Sequence, residues 1–320
     1  MTSIALNSLR FSIDFWLDFQ IVKSWWEHKQ FASQEEAKVF FDSHEKIINA
    51  KPFIKWVWWK RQLIKQFDKL FPSEFNNYFE PFLWGWAVFF NLQKKKSYLS
   101  DVNEELINLY NTIKNNPKEL IEFLESLDYS KEVFLELRAW DRTQWGLSNY
   151  SEIQRAGRFI YLNRTCFNGL YRVNSKGQFN VPFANSKNPD YVQKENIINA
   201  SKLLNKTKAE IKLQGFEKVL TKAKAWDFVY FDPPYDVLTE SANFTSYNES
   251  GFGRDMQEKL RDTCVKLHKK WVKFMLSNHN TPFIREIFDG FRFEIVKARR
   301  NINSKGNWRG AIEEIVVMNY

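Results

Sequence analysis

Glycine is scarce in this chain. Only 11 of 320 residues are glycine, where average usage of about 7% would give roughly 22. Tryptophan outnumbers it, with 13. Cysteine is nearly absent. Cys166 and Cys264 are too few for a disulfide framework and lie in no metal-ligand spacing, so two reduced thiols in a cytoplasmic protein are expected. His268 and His279 also lack partners at ligand spacing, and no metal site is assigned. No uncharged apolar run reaches 18 residues, so no transmembrane helix is indicated. The amino terminus lacks the basic start, apolar core and small-residue cleavage site of a signal peptide.

What is present is aromatic and basic. The net charge is +9 and the pI about 9.3. A basic balance favours a polyanionic partner, most simply nucleic acid. The hydrophobic share of 44% is ordinary for a globular protein long enough to bury a sizeable core.

Residues 1–50 read as a helical extension of unknown role, with apolar positions from Ala37 to Ile47 roughly on one helical face. Helices are expected over 61–70, 103–113, 118–127, 131–137, 152–162, 195–213 and 256–270. Strands are expected over 78–82, 97–99, 228–231, 272–276, 291–296 and 312–318. Strand–helix alternation argues for an α/β fold with a mainly parallel sheet. The block from 104 to 213 interrupts that alternation and reads as an insertion. Within it, 163–183 mixes Gly, Asn, Arg and aromatics and should form loops and a hairpin.

The most informative stretch is FVYFDPPY, residues 228–235. A four-residue apolar strand runs into Asp232, Pro233, Pro234 and Tyr235. In open α/β sheets ligands bind beyond the carboxyl ends of strands. Two prolines fix φ twice and remove two N–H donors, leaving a stiff segment of acceptors. An exocyclic amine on a base is a poor nucleophile, because its lone pair is conjugated with the ring. A carboxylate and a backbone carbonyl that both accept from that amine draw it towards sp3 geometry. This is preorganised electrostatic stabilisation of developing positive charge. A tyrosine beside them can stack on the base. The bland alternative is a simple turn after a strand.

DPPY after an apolar strand resembles the catalytic motif of the amino-methyltransferases. FIYLNRTCFNGLYRVNSKGQFNVPF, residues 159–183, is similar to the DNA-recognition segment of the Dam-type, D12-class adenine-N6 methyltransferases. KARRNINSKG at 297–306 resembles their basic loop. PFIKW at 52–56 and EPF at 80–82 resemble the start of their cofactor motifs. The motif order is that of the alpha group, and the resemblance covers residue 52 to the end.

The resemblance implies a Rossmann-like, S-adenosylmethionine-dependent catalytic domain over 51–103 and 214–320, with a DNA-recognition domain inserted at 104–213. It implies methyl transfer to adenine N6 in duplex DNA, in GATC, with base flipping and without a metal. Asp232, Pro233, Pro234 and Tyr235 are then catalytic. Trp56, Lys60, Phe82, Gly85, Asp101 and Asp232 contact the cofactor. An acid at 101 suits donors on the adenosine, although Asp101 could equally be a helix N-cap. Lys55, Phe167, Asn168, Leu170, Arg172 and Pro182 contact DNA. Arg172 is suited to a guanine edge and Phe167 to insertion into the base stack. Phe167 could instead be a core aromatic. Arg299 and Arg300 are read as phosphate contacts. A monomer is expected, working at the nucleoid in the cytoplasm without a membrane, with a cognate restriction endonuclease as a possible companion. An RNA or protein amino-methyltransferase would have no use for the recognition block.

Departures from the family pattern fall on one exchange. Where it has glycine, this chain has Trp58, Trp59, Trp84, Trp86, Trp226 and Trp271, with Trp308 in a further Gly-rich region. Trp25 and Trp26 are a further candidate pair, whereas Trp56 and Trp140 fit the family as tryptophan. UGA is read as tryptophan in some bacterial codes and as glycine in others. One mechanism therefore accounts for the whole set: UGA codons rendered as tryptophan where the natural protein has glycine. Restoring seven or eight would bring glycine to about 19, near the usual share. Taken literally, the sequence gives a Dam-like DNA-binding protein with obstructed cofactor loops.

Overall fold

The computed structural model describes residues 48–55, 60–83, 87–237, 252–299 and 311–320. The expected helical extension, the cofactor segments around Trp56–Trp59 and Trp84–Trp86, and the basic loop with Arg300 and Trp308 lie outside them.

Seven strands form one sheet. They are β1 (Tyr78–Glu80), β2 (Ser97–Asp101), β3 (Glu210–Leu213), β4 (Phe228–Phe231), β5 (Lys273–His279), β6 (Arg292–Arg299) and β7 (Ala311–Met318), in the order β3-β2-β1-β4-β5-β7-β6. The pairs from β3 through β5 are parallel, and β7 is antiparallel to both β5 and β6. β1 and β4 are buried along their whole length. The continuous apolar run of β4 belongs to a central parallel strand covered on both faces, and β1 beside it ends in a buried acid, Glu80. β3 is the opposite case, polar and exposed, as an edge strand should be.

Period-two alternation sorts the sheet residues into two cores. Tyr78, Leu99, Phe228, Tyr230, Met275, Val316 and Met318 face one way. They pack with α1 (Lys60–Phe67), α2 (Ala87–Leu92) and the helices between β2 and β3. Those are α3 (Glu104–Asn115), α4 (Pro117–Glu125), α5 (Lys131–Ala139), α6 (Glu152–Thr165) and α7 (Lys194–Lys206). Phe79, Val229, Phe231, Phe274, Leu276, Ile315 and Val317 face the other way, onto α8 (Val219–Lys222), α9 (Arg254–Lys269) and α10 (Pro282–Ile287). The segment between β2 and β3 therefore shares its core with one sheet face.

One expected element is corrected. The helix read over 195–213 stops at Lys206, and residues 210–213 are β3, paired with β2 from Tyr98↔Glu210 to Asp101↔Leu213. The helix ends because Lys208 takes φ +50° and the Ala209 N–H closes back onto the Leu204 carbonyl. This is a left-handed helix termination.

Candidate active site

Crossovers run from β1 outward to β2 and β3 on one side and from β4 to β5 on the other. The strand order reverses between β1 and β4, and the carboxyl ends there are where open α/β sheets form a ligand crevice. Glu80 ends β1, and Asp232 to Tyr235 follow β4 directly.

The loop after β4 is fixed by buried side chains of other elements. Gln257 of α9 donates from Nε2 to the Pro234 carbonyl at 2.7 Å. Its Oε1 accepts from Asn278 Nδ2 at 3.1 Å, and Asn278 Oδ1 in turn accepts from the Asp236 N–H at 2.9 Å. Two amides, one from α9 and one from β5, thus satisfy backbone groups on either side of Tyr235. Thr281 caps α10 and also donates to Asp236 Oδ2 at 2.6 Å, while His279 Nδ1 donates to the Asp236 carbonyl. The Tyr235 hydroxyl donates to Glu314 Oε2 at 2.8 Å, and its ring meets His279 edge to face.

Beneath the loop lies a buried layer of acids and hydroxyls. Ser277 Oγ donates to Asp232 Oδ1 at 3.4 Å, so the hydroxyl of Tyr230, 2.8 Å from Ser277 Oγ, must be the donor of that second bond. Tyr78 donates to Glu80 Oε2 at 2.7 Å. Burial pushes the Glu80 carboxyl up to about 8; the Tyr78 hydrogen bond opposes this and the Asp232 charge adds to it.

Asp101 ends β2 and is buried. It accepts from the Leu83 and Asn103 N–H groups, each at 2.8 Å. Burial raises its pKa against those bonds. The N-cap of α3 is Asn103, whose side chain accepts from Leu106 N–H, so Asp101 is not the cap. Phe82, after β1, stacks on Phe216 with centroids 5.6 Å apart and meets Phe252 edge to face. Carboxylates and an aromatic patch at adjoining strand ends fit a cofactor with hydroxyl, amine and adenine groups. Of the expected cofactor contacts, Phe82, Asp101 and Asp232 lie at the crevice. Trp56, Gly85 and the Lys60 side chain lie outside the described residues.

The expected DNA contacts gather at the end of α6. Phe167 N–H donates to the Pro182 carbonyl, and Cys166 bridges to Phe183. A hairpin pairs Val173 with Phe179 and carries Arg172, whose Nε donates to Asn180 Oδ1 at 2.7 Å. Asp141 holds that hairpin by accepting from the Phe179 N–H and from buried Arg158. Asn168 takes φ +56°, and Leu170 packs against the core. Phe167 is 53% exposed and so is not a core aromatic. Lys55 joins the group through Asn163, which bonds both its N–H and its carbonyl. The side chain of Arg299 and all of Arg300 lie outside the described residues.

Glu80, Gln257, Ser277, Asn278 and Asn163 were missed by sequence reasoning. Glu80 carried a signal in EPF, and Ser277–Asn278 stood in an apolar strand. Gln257 and Asn163 look like ordinary helix residues. Among the described residues there is no group of three or more His, Cys, Asp or Glu arranged to hold a metal. No helix among them is long and apolar enough to cross a membrane.

The two described tryptophans at expected glycine positions share a backbone state. Trp226 has φ +70° and Trp271 φ +60°, just before β4 and β5. They are 61% and 78% exposed. Trp140 differs: it stacks on Tyr150 with centroids 3.8 Å apart and packs against the core.

The profile described as D12 class N6 adenine-specific DNA methyltransferase matches residues 56–302. The chain is 45% identical over 275 residues to the Type II methyltransferase M1.LlaDCHI of Lactococcus lactis subsp. cremoris, covering 85% of this chain and 96% of that protein. It is 41% identical over 293 residues to the Type II methyltransferase M.MjaIII of Methanocaldococcus jannaschii, covering 85% and 100%. It is 31% identical over 268 residues to the DNA adenine methylase of Escherichia coli strain K12, covering 84% and 95%. With its fold and the DPPY crevice, this chain belongs to the D12 class of N6 adenine-specific DNA methyltransferases.

Proposed function

We propose that the enzyme methylates adenine N6 within GATC in duplex DNA after turning the base out of the helix. The observation that carries this is the DPPY loop at the strand-order reversal, braced through Gln257 and Asn278. Asp232 and the Pro233 carbonyl accept hydrogen bonds from the amine, and the Tyr235 ring stacks on the base. Acceptors held before the substrate arrives need no reorganisation during reaction. Phe82, Asp101 and Asp232, with Trp56, Lys60 and Gly85, hold S-adenosylmethionine, which supplies an electrophilic methyl group on sulfur when bound. Lys55, Phe167, Asn168, Leu170, Arg172 and Pro182 read the DNA. Arg299 and Arg300 contact phosphates. Domains at 51–103 with 214–320 and at 104–213 divide catalysis from recognition. The enzyme acts as a monomer on cytoplasmic DNA, alongside a cognate restriction endonuclease.

The test is methyl transfer from labelled S-adenosylmethionine to duplexes with and without GATC, paired with digestion of host DNA by an endonuclease blocked by GATC methylation. Incorporation confined to GATC is expected. Incorporation elsewhere, or fully cleavable host DNA, would overturn the assignment of sequence.

A second reading concerns Trp58, Trp59, Trp84 and Trp86. If they are genuine, the protein binds DNA with impaired catalysis. Titration of the literal chain with S-adenosylmethionine separates the two, since tight binding contradicts obstructed loops. Peptide mass analysis of protein from its own host identifies the residues.

A further inference from the structure

The segment 49–55 has no strand partner among the described residues, yet alternate residues along it have backbone groups that side chains satisfy. Asn199 Nδ2 donates to the Asn49 carbonyl at 3.2 Å. Asn196 bonds Lys51 twice, accepting its N–H at 2.8 Å and donating to its carbonyl at 3.0 Å. Gln193 Nε2 donates to the Phe53 carbonyl at 2.6 Å. Asn163 repeats the double bond at Lys55, accepting at 2.7 Å and donating at 2.8 Å. Side-chain amides thus replace a neighbouring strand at residues 49, 51, 53 and 55. Three come from the start of α7: Gln193, the left-handed residue that precedes the helix, and Asn196 and Asn199, three residues apart within it.

The last rung differs from the others. Asn163 is fully buried and belongs to α6, not α7. Its second N–H donates to the Gly169 carbonyl at 2.9 Å, so all its donors are used. Gly169 has φ +65°, and a Cβ placed there would lie 2.3 Å from the Lys55 Cβ. Lys55 is therefore held from two sides, by the Asn163 amide and by the bare Cα of Gly169, against the loop that begins at Phe167.

A lysine has a long flexible stem, so its reach is defined only as well as its Cα is fixed. Asparagine is also a poor choice within a helix unless its side chain has work elsewhere. From this we infer that Asn163 is a positioning residue for sequence recognition: it fixes Lys55 against the Phe167–Leu170 loop, so that both read the same DNA site in one register. The inference rests on the proposed base-reading role of Lys55.

The test compares kcat/KM on the cognate duplex with duplexes altered at one base pair each, for the full chain carrying whichever residues mass analysis finds at 58, 59, 84 and 86. Four single variants and one double variant are needed. Lys55→Ala defines the base pair that Lys55 reads. Asn163→Asp keeps the acceptor but loses both donors. Gly169→Ala pushes on Lys55 while keeping the Asn163 side chain itself, and stands in if Asn163→Asp fails to fold. Asn196→Asp cuts a rung remote from Lys55.

The expected result is about a tenfold loss of discrimination at the Lys55 base pair in Asn163→Asp and Gly169→Ala. Positions read by other residues keep theirs, and Lys55→Ala combined with Asn163→Asp is no worse than either alone. Asn196→Asp lowers Tm and leaves discrimination intact. If Lys55→Ala changes discrimination and neither Asn163→Asp nor Gly169→Ala does, the inference is wrong. Equal losses on every duplex would also overturn it, marking Asn163 as structural only. If Lys55→Ala itself changes nothing, the reading of Lys55 fails first.

Discussion

Gln257 Nε2 lies 2.7 Å from the Pro234 carbonyl oxygen, and this bond crosses from α9 to the DPPY loop. Neither proline has an N–H, so the loop depends on acceptor contacts for its orientation. Gln257 is buried and held by Asn278, which leaves little freedom at Pro234.

Replacing Gln257 with Leu leaves the Pro234 carbonyl and the Asn278 amide without these partners. Stability should fall by about 1–3 kcal/mol, the cost of buried unsatisfied groups. A displaced acceptor should lower kcat by roughly 10- to 100-fold. Affinity for DNA should hardly change, because Gln257 lies in α9 and outside the 173–179 hairpin proposed to meet DNA. Single-turnover methylation and DNA binding at a temperature well below Tm measure the two effects. An unchanged kcat in folded protein would remove Gln257 from the account.

Glu80 gives the fold a pH dependence of defined sign. Its carboxyl moves from 4.5 to about 8 on folding, chiefly through burial. Between those values the native state holds a proton that the unfolded chain has released. The unfolded state binds fewer protons there, so stability falls as pH rises through the window and levels off above about 8. Glu80→Gln keeps a neutral acceptor for Tyr78 and removes the titration. Wild type should lose roughly 2–5 kcal/mol relative to the variant between pH 5 and 8.5. Urea midpoints across that range check it. Parallel curves for the two proteins would show that Glu80 is ionised in the native state.

Much of this was legible from the residues. FVYF announced a central strand because four apolar residues in a row cannot be half-exposed, and DPPY placed the crevice at its end. The stretch from 166 to 183 was legible as loops and a hairpin because Gly, Asn and Arg do not fit one periodic face, although residues 163–165 still belong to α6. β3 was misread for a physical reason. EIKL is a polar edge strand, and its pattern continues the face of α7 until the backbone turns left-handed at Lys208. The bracing amides were not legible at all. Gln257 bonds a loop 23 residues away, and Asn163 a segment 108 residues away. Nothing in their local neighbourhoods marks them as different from surface amides.

Trp226 and Trp271 carry the most local test of the glycine reading. The Val272 N–H bonds the Leu267 carbonyl at 3.1 Å, which makes Trp271 the left-handed residue ending α9, a position that favours glycine. A side chain there costs about 1–2 kcal/mol. The indole is largely exposed, so packing returns little. Glycine also loosens the unfolded chain, which takes back about 0.5–1 kcal/mol. Trp271→Gly should therefore stabilise by roughly 0.5–1 kcal/mol, a Tm rise of a few degrees at most. Trp226→Gly should gain less, because the Lys273 ammonium lies 5.3 Å from the Trp226 ring and that contact is lost. Trp271→Ala keeps the backbone strain and should gain nothing, whereas Trp140→Gly should destabilise by removing a packed ring. Calorimetry on the four variants decides the matter. If Trp271→Gly is no more stable than Trp271→Ala, the left-handed backbone exerts no preference there, and the case for glycine rests on peptide mass alone.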